Sequence, residues 1–195
     1  MKKWIFPGIL VVLALWAFGA GKGFYNSAVN YQENAKNQWA KVESAYQRRA
    51  DLIPSLVNTV KGYAAHEKET LEGVIKARAE ATKTTIDAND LTPEKMAAFQ
   101  KAQSGLSGAL SKLMVVVERY PDLKANQNFL ELQSQLEGTE NRIKVERDRF
   151  NDEVSIYSKH LKVFPNNIFN MIFKFEEMGY FKSDEGAAKA PKVEF

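Results

Sequence analysis

From Val42 onward, apolar residues recur in steps of three and four: Val42, Tyr46, Ile53, Leu56, Val60, Tyr63 and Val74. Arg49 and Glu67 stand where this seam would place apolar side chains, and Leu71 sits just off register. A spacing near 3.5 residues is that of a helix packing one stripe into a bundle. Pro54 lies inside the run. Proline removes one backbone hydrogen bond and crowds the carbonyl four residues back, here that of Ala50. The seam keeps its phase across Pro54, so the pattern predicts a helix that continues through it with a kink. Asp51 offers the alternative of a new helix capped there.

This first helix is expected to run from about Val29 to Thr84, and to stop by Asn89. Thr92-Pro93-Glu94 then supplies an N-cap followed by proline at the first helical position. Met96, Phe99, Gln103, Leu106, Leu110, Leu113, Val117 and Tyr120 line a second helix, ended by Pro121-Asp122. A third runs from about Asn126 to Leu161, with Phe129, Leu136, Ile143, Phe150, Val154 and Tyr157 on one face, and Phe164-Pro165 ends it. Asn166 or Asn167 can cap a short fourth helix through Glu177, with Gly179 as its stop. No segment alternates as a strand would. Short connections make neighbouring helices antiparallel. The expected fold is therefore all-α, an up-and-down antiparallel helical bundle of three long helices plus a short fourth.

At 1.5 Å per residue the first helix would be ~84 Å long and the second ~42 Å. The second could cover only the distal half of the first. The proximal seam of Trp39, Val42, Tyr46 and Ile53 then needs another cover: the third helix, the C-terminal segment or a second copy of the chain. Self-association through these four residues is the expectation.

Ahead of the bundle, Trp4 to Ala20 carry no charge. As helix these residues span about 25 Å, slightly short of a ~30 Å hydrocarbon core, and Phe24, Tyr25 and Trp4 can extend the anchor into the interfaces. The segment reads as a retained transmembrane anchor. A cleaved signal peptide with Ala17-Phe18-Gly19 as its site is the alternative, disfavoured by bulky Trp16 and Phe18. Lys2 and Lys3 on one side against Lys22 on the other place the N-terminus in the cytoplasm and the bundle outside it. The expected division is residues 1–23 as anchor, 24–182 as bundle and 183–195 as an extended tail.

Composition removes most chemistries. The chain has 195 residues, no cysteine and two histidines, His66 and His160. Thiolate zinc sites, iron–sulfur clusters, cysteine nucleophiles and multi-histidine centres are thereby excluded. Lysine and arginine total 27 against 24 acidic residues, and without Lys2 and Lys3 the remainder is nearly neutral, which argues against nucleic acid as the main partner.

Three stretches carry a family resemblance. Gln47 through Glu67, including Arg48-Arg49-Ala50-Asp51-Leu52-Ile53-Pro54, resembles the first signature of the LemA family. Tyr120-Pro-Asp-Leu-Lys-Ala-Asn-Gln-Asn-Phe129 through Ile143 resembles the second. Tyr157 through Asn166, Gly179-Tyr180-Phe181 and the ending Pro191-Lys-Val-Glu-Phe195 resemble the third. With the apolar N-terminus these cover nearly the whole chain in the family's order. The resemblance implies a bacterial membrane-anchored helical bundle with no established biochemical activity. Two departures stand out: Glu146, where the family often has a small residue, and Phe150, where it often has tyrosine. Glu146 brings a charge to the seam of the third helix.

No motif adds a reaction. His66-Glu67-Lys68-Glu69-Thr70 begins like a zincin motif but has threonine where the second histidine is required. A polar layer in or beside the bundle is the better reading of Arg49, Asp51, His66 and Glu67, with Arg49 paired to Glu140, Glu146 or Asp148 because a buried unpaired arginine would cost several kcal/mol. Ser104-Gly105-Leu-Ser-Gly108 suggests close helix approach rather than a phosphate loop. Phe164, Phe169, Phe173, Phe175, Tyr180, Phe181 and Phe195 cluster near the C-terminus. They either close the open end of the bundle, which is favoured, or form a membrane-interface or partner surface. Val193 and Phe195 fall on one side of an extended strand and offer a C-terminal recognition element, the alternative being that they dock on the bundle.

The functional expectation is a structural or interaction protein of the cell envelope, not an enzyme. It has no catalytic residue, metal or cofactor and no identified small-molecule substrate; its partners are the membrane, itself and another envelope protein. A regulator of an envelope protease acting through the tail, and an unrecognised hydrolase, are the alternatives.

Overall fold

The structure, a computed structural model, describes residues 5–182, with side chains from Pro7 onward. All regular structure among these residues is helical: α1 (Ile5–Tyr63), α2 (Lys68–Lys83), α3 (Pro93–Val117), α4 (Pro121–Lys124), α5 (Gln127–Lys162) and α6 (Asn166–Phe173). The chain divides into two compact units. Of the described residues, the first holds those up to Tyr46 with Arg142–Met178, and the second holds Gln47–Asn141 with 179–182.

In the second unit, the helix expected to reach Thr84 ends at Tyr63 and restarts at Lys68. The sequence carried the sign of this break: Glu67 interrupts the seam and Leu71 falls off register beyond it. With α2 folded back, Leu71 and Val74 regain a buried stripe, sharing a core with Ile53, Leu56, Val60, Leu106 and Leu113. Cross-links between helices fix the directions. Arg78 of α2 reaches Ala50 of α1, Gln103 of α3 reaches Ala81 of α2, and Asn126, before α5, reaches Tyr63 of α1. The result is an up-and-down bundle of four helices, one more than the pattern alone predicted, with single-turn α4 bridging the last two.

Pro54 sits inside α1 and the helix runs through it, so Asp51 does not cap a new one. The carbonyl that Pro54 cannot serve is that of Ala50. Arg78 Nε donates to this oxygen at 2.7 Å. An orphaned buried carbonyl costs about 1–3 kcal/mol, so the fold-back of α2 repairs the defect that Pro54 makes.

At the start of α3, Thr92 is the N-cap and Pro93 follows, as the sequence indicates. Gly179 does not stop α6. That helix ends at Phe173 with Lys174 in the left-handed region (φ 54°), and the Asn170 side chain accepts from the Phe175 N–H at 2.9 Å. Gly179 instead lets the returning chain press against α3: a Cβ there would lie 2.8 Å from the Pro93 Cα. Its N–H donates to the Leu91 carbonyl at 2.8 Å, and Phe181 then packs against Phe99. Gly105 and Gly108 have open space beside them, so these two glycines do not mark a close helix contact.

The first unit pairs the proximal part of α1 with the distal part of α5, antiparallel. Trp39 packs edge-to-face on Phe150 at 5.5 Å, and Phe24 stacks on His160 at 5.1 Å. Trp39, Val42, Tyr46 and Ile53 are all buried, the first three in this unit and Ile53 in the core of the second. The cover left open by helix lengths comes from within the chain, because α5 runs on past the second unit and lies along α1. Self-association at these positions loses its premise: no open apolar seam remains there.

The Pro54 repair predicts an energetic coupling. Arg78→Ala should destabilise the protein by about 1–3 kcal/mol, and by clearly less in a Pro54→Ala background, where the residue 54 N–H can serve the Ala50 carbonyl itself. A double-mutant cycle on urea unfolding of the detergent-solubilised protein measures this. Equal losses in both backgrounds would show that the contact is incidental.

Candidate functional site

Arg49 is the most buried cation of the second unit, with 2% of its surface exposed. Its Nη1 donates to Glu140 Oε2 at 2.8 Å and to Ser107 Oγ at 2.9 Å. Its Nη2 donates to Gln103 Oε1 at 2.8 Å. Gln103 Nε2 in turn donates to the Ala81 carbonyl at 3.2 Å. One layer thus ties α1, α3, α5 and α2 together. Of the three carboxylates considered from sequence, Glu140 is the partner. Gln103 and Ser107 were not singled out, although Gln103 was visible as the one polar member of the second helix's apolar series.

The other three predicted polar positions do not join Arg49. Asp51 is exposed and accepts from Gln47 within α1 at 2.8 Å. His66 lies exposed in the turn between α1 and α2. Glu67 accepts from Arg119 Nη2 and from the Tyr120 hydroxyl, each at 2.9 Å. The hydrogen bond to Glu67, with burial and the Glu67 charge adding to it, pushes the Tyr120 hydroxyl pKa up. Among the described residues, no group of three or more histidines and carboxylates is placed to hold a metal ion. Val193 and Phe195 lie outside the described residues.

A second charge is buried in the first unit. Glu146 of α5 is 1% exposed. Gln38 of α1 donates to its Oε2 at 2.7 Å, Arg142 Nε lies 2.9 Å from Oε1 and Arg149 Nη1 3.5 Å from it. Burial is the largest single influence and raises its pKa. The Gln38 hydrogen bond and the charges of Arg149 and Arg142 together outweigh it, and the net shift is downward. A carboxylate held ionised does not serve as a general acid at neutral pH. The charge that the sequence brings to the seam is accommodated by a glutamine one helix away and two arginines on its own helix.

At the far end of this unit, His160 is held on both ring nitrogens. Its Nε2 lies 3.1 Å from the Phe24 carbonyl, and Asn166 Nδ2 donates to Nδ1 at 3.2 Å. The neutral tautomer with its proton on Nε2 satisfies both contacts. Asn166 therefore ties α6 to α5 instead of capping α6. Phe24 also meets Phe169 and Phe173, each at 5.9 Å. Tyr157, fully buried, donates its hydroxyl to the Glu176 carbonyl at 2.9 Å; burial first, then the Glu176 charge, pushes its pKa up to about 12. Of the aromatic cluster, Phe169, Phe173 and Phe175 meet Phe24 of α1 and Phe181 packs on α3, whereas Phe164 and Tyr180 are exposed and Phe195 lies outside the described residues.

Beyond Phe24, α1 contains a stretch long and apolar enough to cross a membrane by length and composition. Side chains from Ile9 to Phe18 are uncovered there. Residues 38–195 match the LemA family. The chain belongs to the LemA family. Related proteins include the magnetosome protein MamQ of Magnetospirillum gryphiswaldense, 28% identical over 174 residues, which cover 80% of this chain and 64% of MamQ. Magnetosome protein MamQ 2 of Paramagnetospirillum magneticum is 25% identical over 177 residues (81% and 64%), and protein LemA of Metamycoplasma hominis 24% over 146 residues (74% and 63%). This LemA-family chain therefore spans slightly under two thirds of the length of these relatives. None of their names states a chemical activity.

Two predictions follow from the buried charges. Glu140→Ala should destabilise by about 3–5 kcal/mol, because it leaves the Arg49 guanidinium buried without its counter-charge. Arg49→Ala should cost less, about 1–3 kcal/mol, since it strands the Gln103 amide while Glu140 is free to turn to water. Thermal unfolding of the detergent-solubilised protein compares them, and a smaller loss for Glu140→Ala would contradict the asymmetry. Glu146 binds its proton less readily folded than unfolded. Its contribution is therefore present above the unfolded value near 4.3 and is lost as pH falls through the lower folded value. Glu146→Gln should lose about 1–2 kcal/mol at pH 7. The difference from the parent should close as pH falls through the lowered folded value. A difference that persists there would assign the loss to packing.

Proposed function

We propose that this chain is a membrane-anchored structural or interaction protein of the bacterial cell envelope and not an enzyme. The observation that carries the reading is that one unbroken helix, α1, contains both the exposed apolar stretch and Arg49 of the buried layer. The apolar stretch and the bundle then belong to one continuous helix, which suits a protein that presents a surface at a membrane better than one that binds a soluble substrate. The family match and relatives whose names state no reaction support the same reading. Residues 1–23 act as the anchor, 24–182 as the bundle and 183–195 as a tail available to another envelope protein. Lys2 and Lys3 before the apolar stretch, against Lys22 alone after it, favour a single pass with the N-terminus cytoplasmic and the bundle on the extracytoplasmic side.

The test is fractionation followed by proteolysis. The protein should stay in the pellet after alkaline carbonate extraction of membranes, and protease added to intact spheroplasts should digest the bundle. Release by carbonate would contradict the anchor. Retention with a protected bundle would contradict the orientation alone.

A further inference from the structure

The short helix α6 is apolar on two faces. Phe169 and Phe173 turn toward α1, where Phe169 lies within van der Waals reach of Gly21 and both rings meet Phe24. The other face has no cover: Met171 is 79% exposed, Ile172 69% and Ile168 50%, and Phe164 just before the helix is 80% exposed. Such an apolar cluster, standing free in water, is unfavourable and marks a surface that something else covers.

Its position says what covers it. The uncharged run ends at Ala20, and α6 packs at Gly21 and Phe24. Four residues of helix rise about 6 Å, and the polar headgroup layer on each side of a ~30 Å hydrocarbon core is about 5–8 Å thick. If Trp4–Ala20 fill the core, α6 lies at the depth of the headgroups and the acyl boundary. A short helix with one wide apolar face, aromatic residues and nearby basic side chains is suited to that layer. Lys22 and Lys174 are exposed beside it to meet phosphates.

We propose that α6 together with Phe164 is a second membrane contact, an interfacial helix that inserts Phe164, Ile168, Met171 and Ile172 into the lipid leaflet through which α1 exits. This deepens the reading of α1 as an anchor and rests on it. The two contacts would hold the first unit against the membrane surface, since α6 is fixed to α1 through Phe24 and to α5 through Asn166 and His160.

The chain has no cysteine, so single labels can be placed cleanly. The full-length protein in phosphatidylcholine–phosphatidylglycerol vesicles would carry an environment-sensitive fluorophore at Met171→Cys or, separately, Ile172→Cys. Leu13→Cys reports the anchor, and Lys144→Cys, exposed on α5, reports water. Lipids brominated high on the acyl chain should quench most of the emission at positions 171 and 172, blue-shifted relative to position 144, and lipids brominated near the chain end should quench position 13. Quenching at 13 with none at 171 and 172 would overturn the proposal and leave the anchor standing. No quenching at 13 would overturn the anchor and the proposal with it. Unquenched 171 with efficient disulfide formation between Met171→Cys chains would also overturn it, assigning the face to a second copy.

Discussion

A guanidinium taken out of water must find acceptors, and that requirement organises the second unit. Arg49 has a choice of geometries only as long as its hydrogen bonds can be met, and Gln103, Ser107 and Glu140 meet them from two other helices. The apolar core above and below would tolerate sliding of one helix along another by a turn, since leucine, valine and isoleucine pack in many registers. A fixed fork of donors does not tolerate it. Gln103 passes the constraint to α2 through the Ala81 carbonyl, so every long helix of the unit is indexed to one side chain. A single layer of this kind adds little net stability, because desolvation of the ion offsets the attraction; what it contributes is uniqueness.

The same logic runs through the backbone. Pro54 would be a flaw in an isolated helix, and α1 retains it because α2 returns with Arg78 to the freed Ala50 carbonyl. Arg49, Ala50 and Pro54 lie within two turns of α1, so the proline repair and the charge layer both govern the same short stretch. In the first unit Glu146 has the corresponding part, with Gln38 as the cross-helix contact and Arg142 and Arg149 as local counter-charges. Among the described residues, each unit thus carries one buried charge of opposite sign, satisfied inside that unit.

Much of this was legible in the sequence. The 3.5-residue seam gave the helices, the continuity through Pro54, the Thr92-Pro93 start of α3 and the Arg49–Glu140 pair as one of three choices. The reversal after Tyr63 was missed because heptad spacing survives a fold-back: the same apolar residues line a seam whether the helix continues or doubles over. Glu67 and Leu71 held the signal, as a charge and a slip at the break. The third helix stood among the covers open to Trp39, but a second copy was preferred for a related reason. Helix lengths say which partners can reach, not which does, and α5 reached farther than α3. The glycines of α3 misled because small side chains mark close approach only when the backbone faces a neighbour, and here it faces solvent. The burial of Glu146 followed from its seam position, but the glutamine that meets it, Gln38, lies 108 residues away and left no local trace.

If the Arg49 layer sets helix register, the helices around it should slip once it is made apolar. Spin labels at Asn58→Cys on α1 and Ser134→Cys on α5, read by pulsed electron–electron double resonance, test this in the full-length protein. The parent should give one narrow distance. With Arg49→Met, Gln103→Leu and Glu140→Leu introduced together, helicity and thermal stability should be at least as high as in the parent. The distance distribution should broaden or split by a helical turn, about 5 Å. A single narrow distance at the parent value in the apolar variant would contradict the claim and leave register to the hydrophobic core alone.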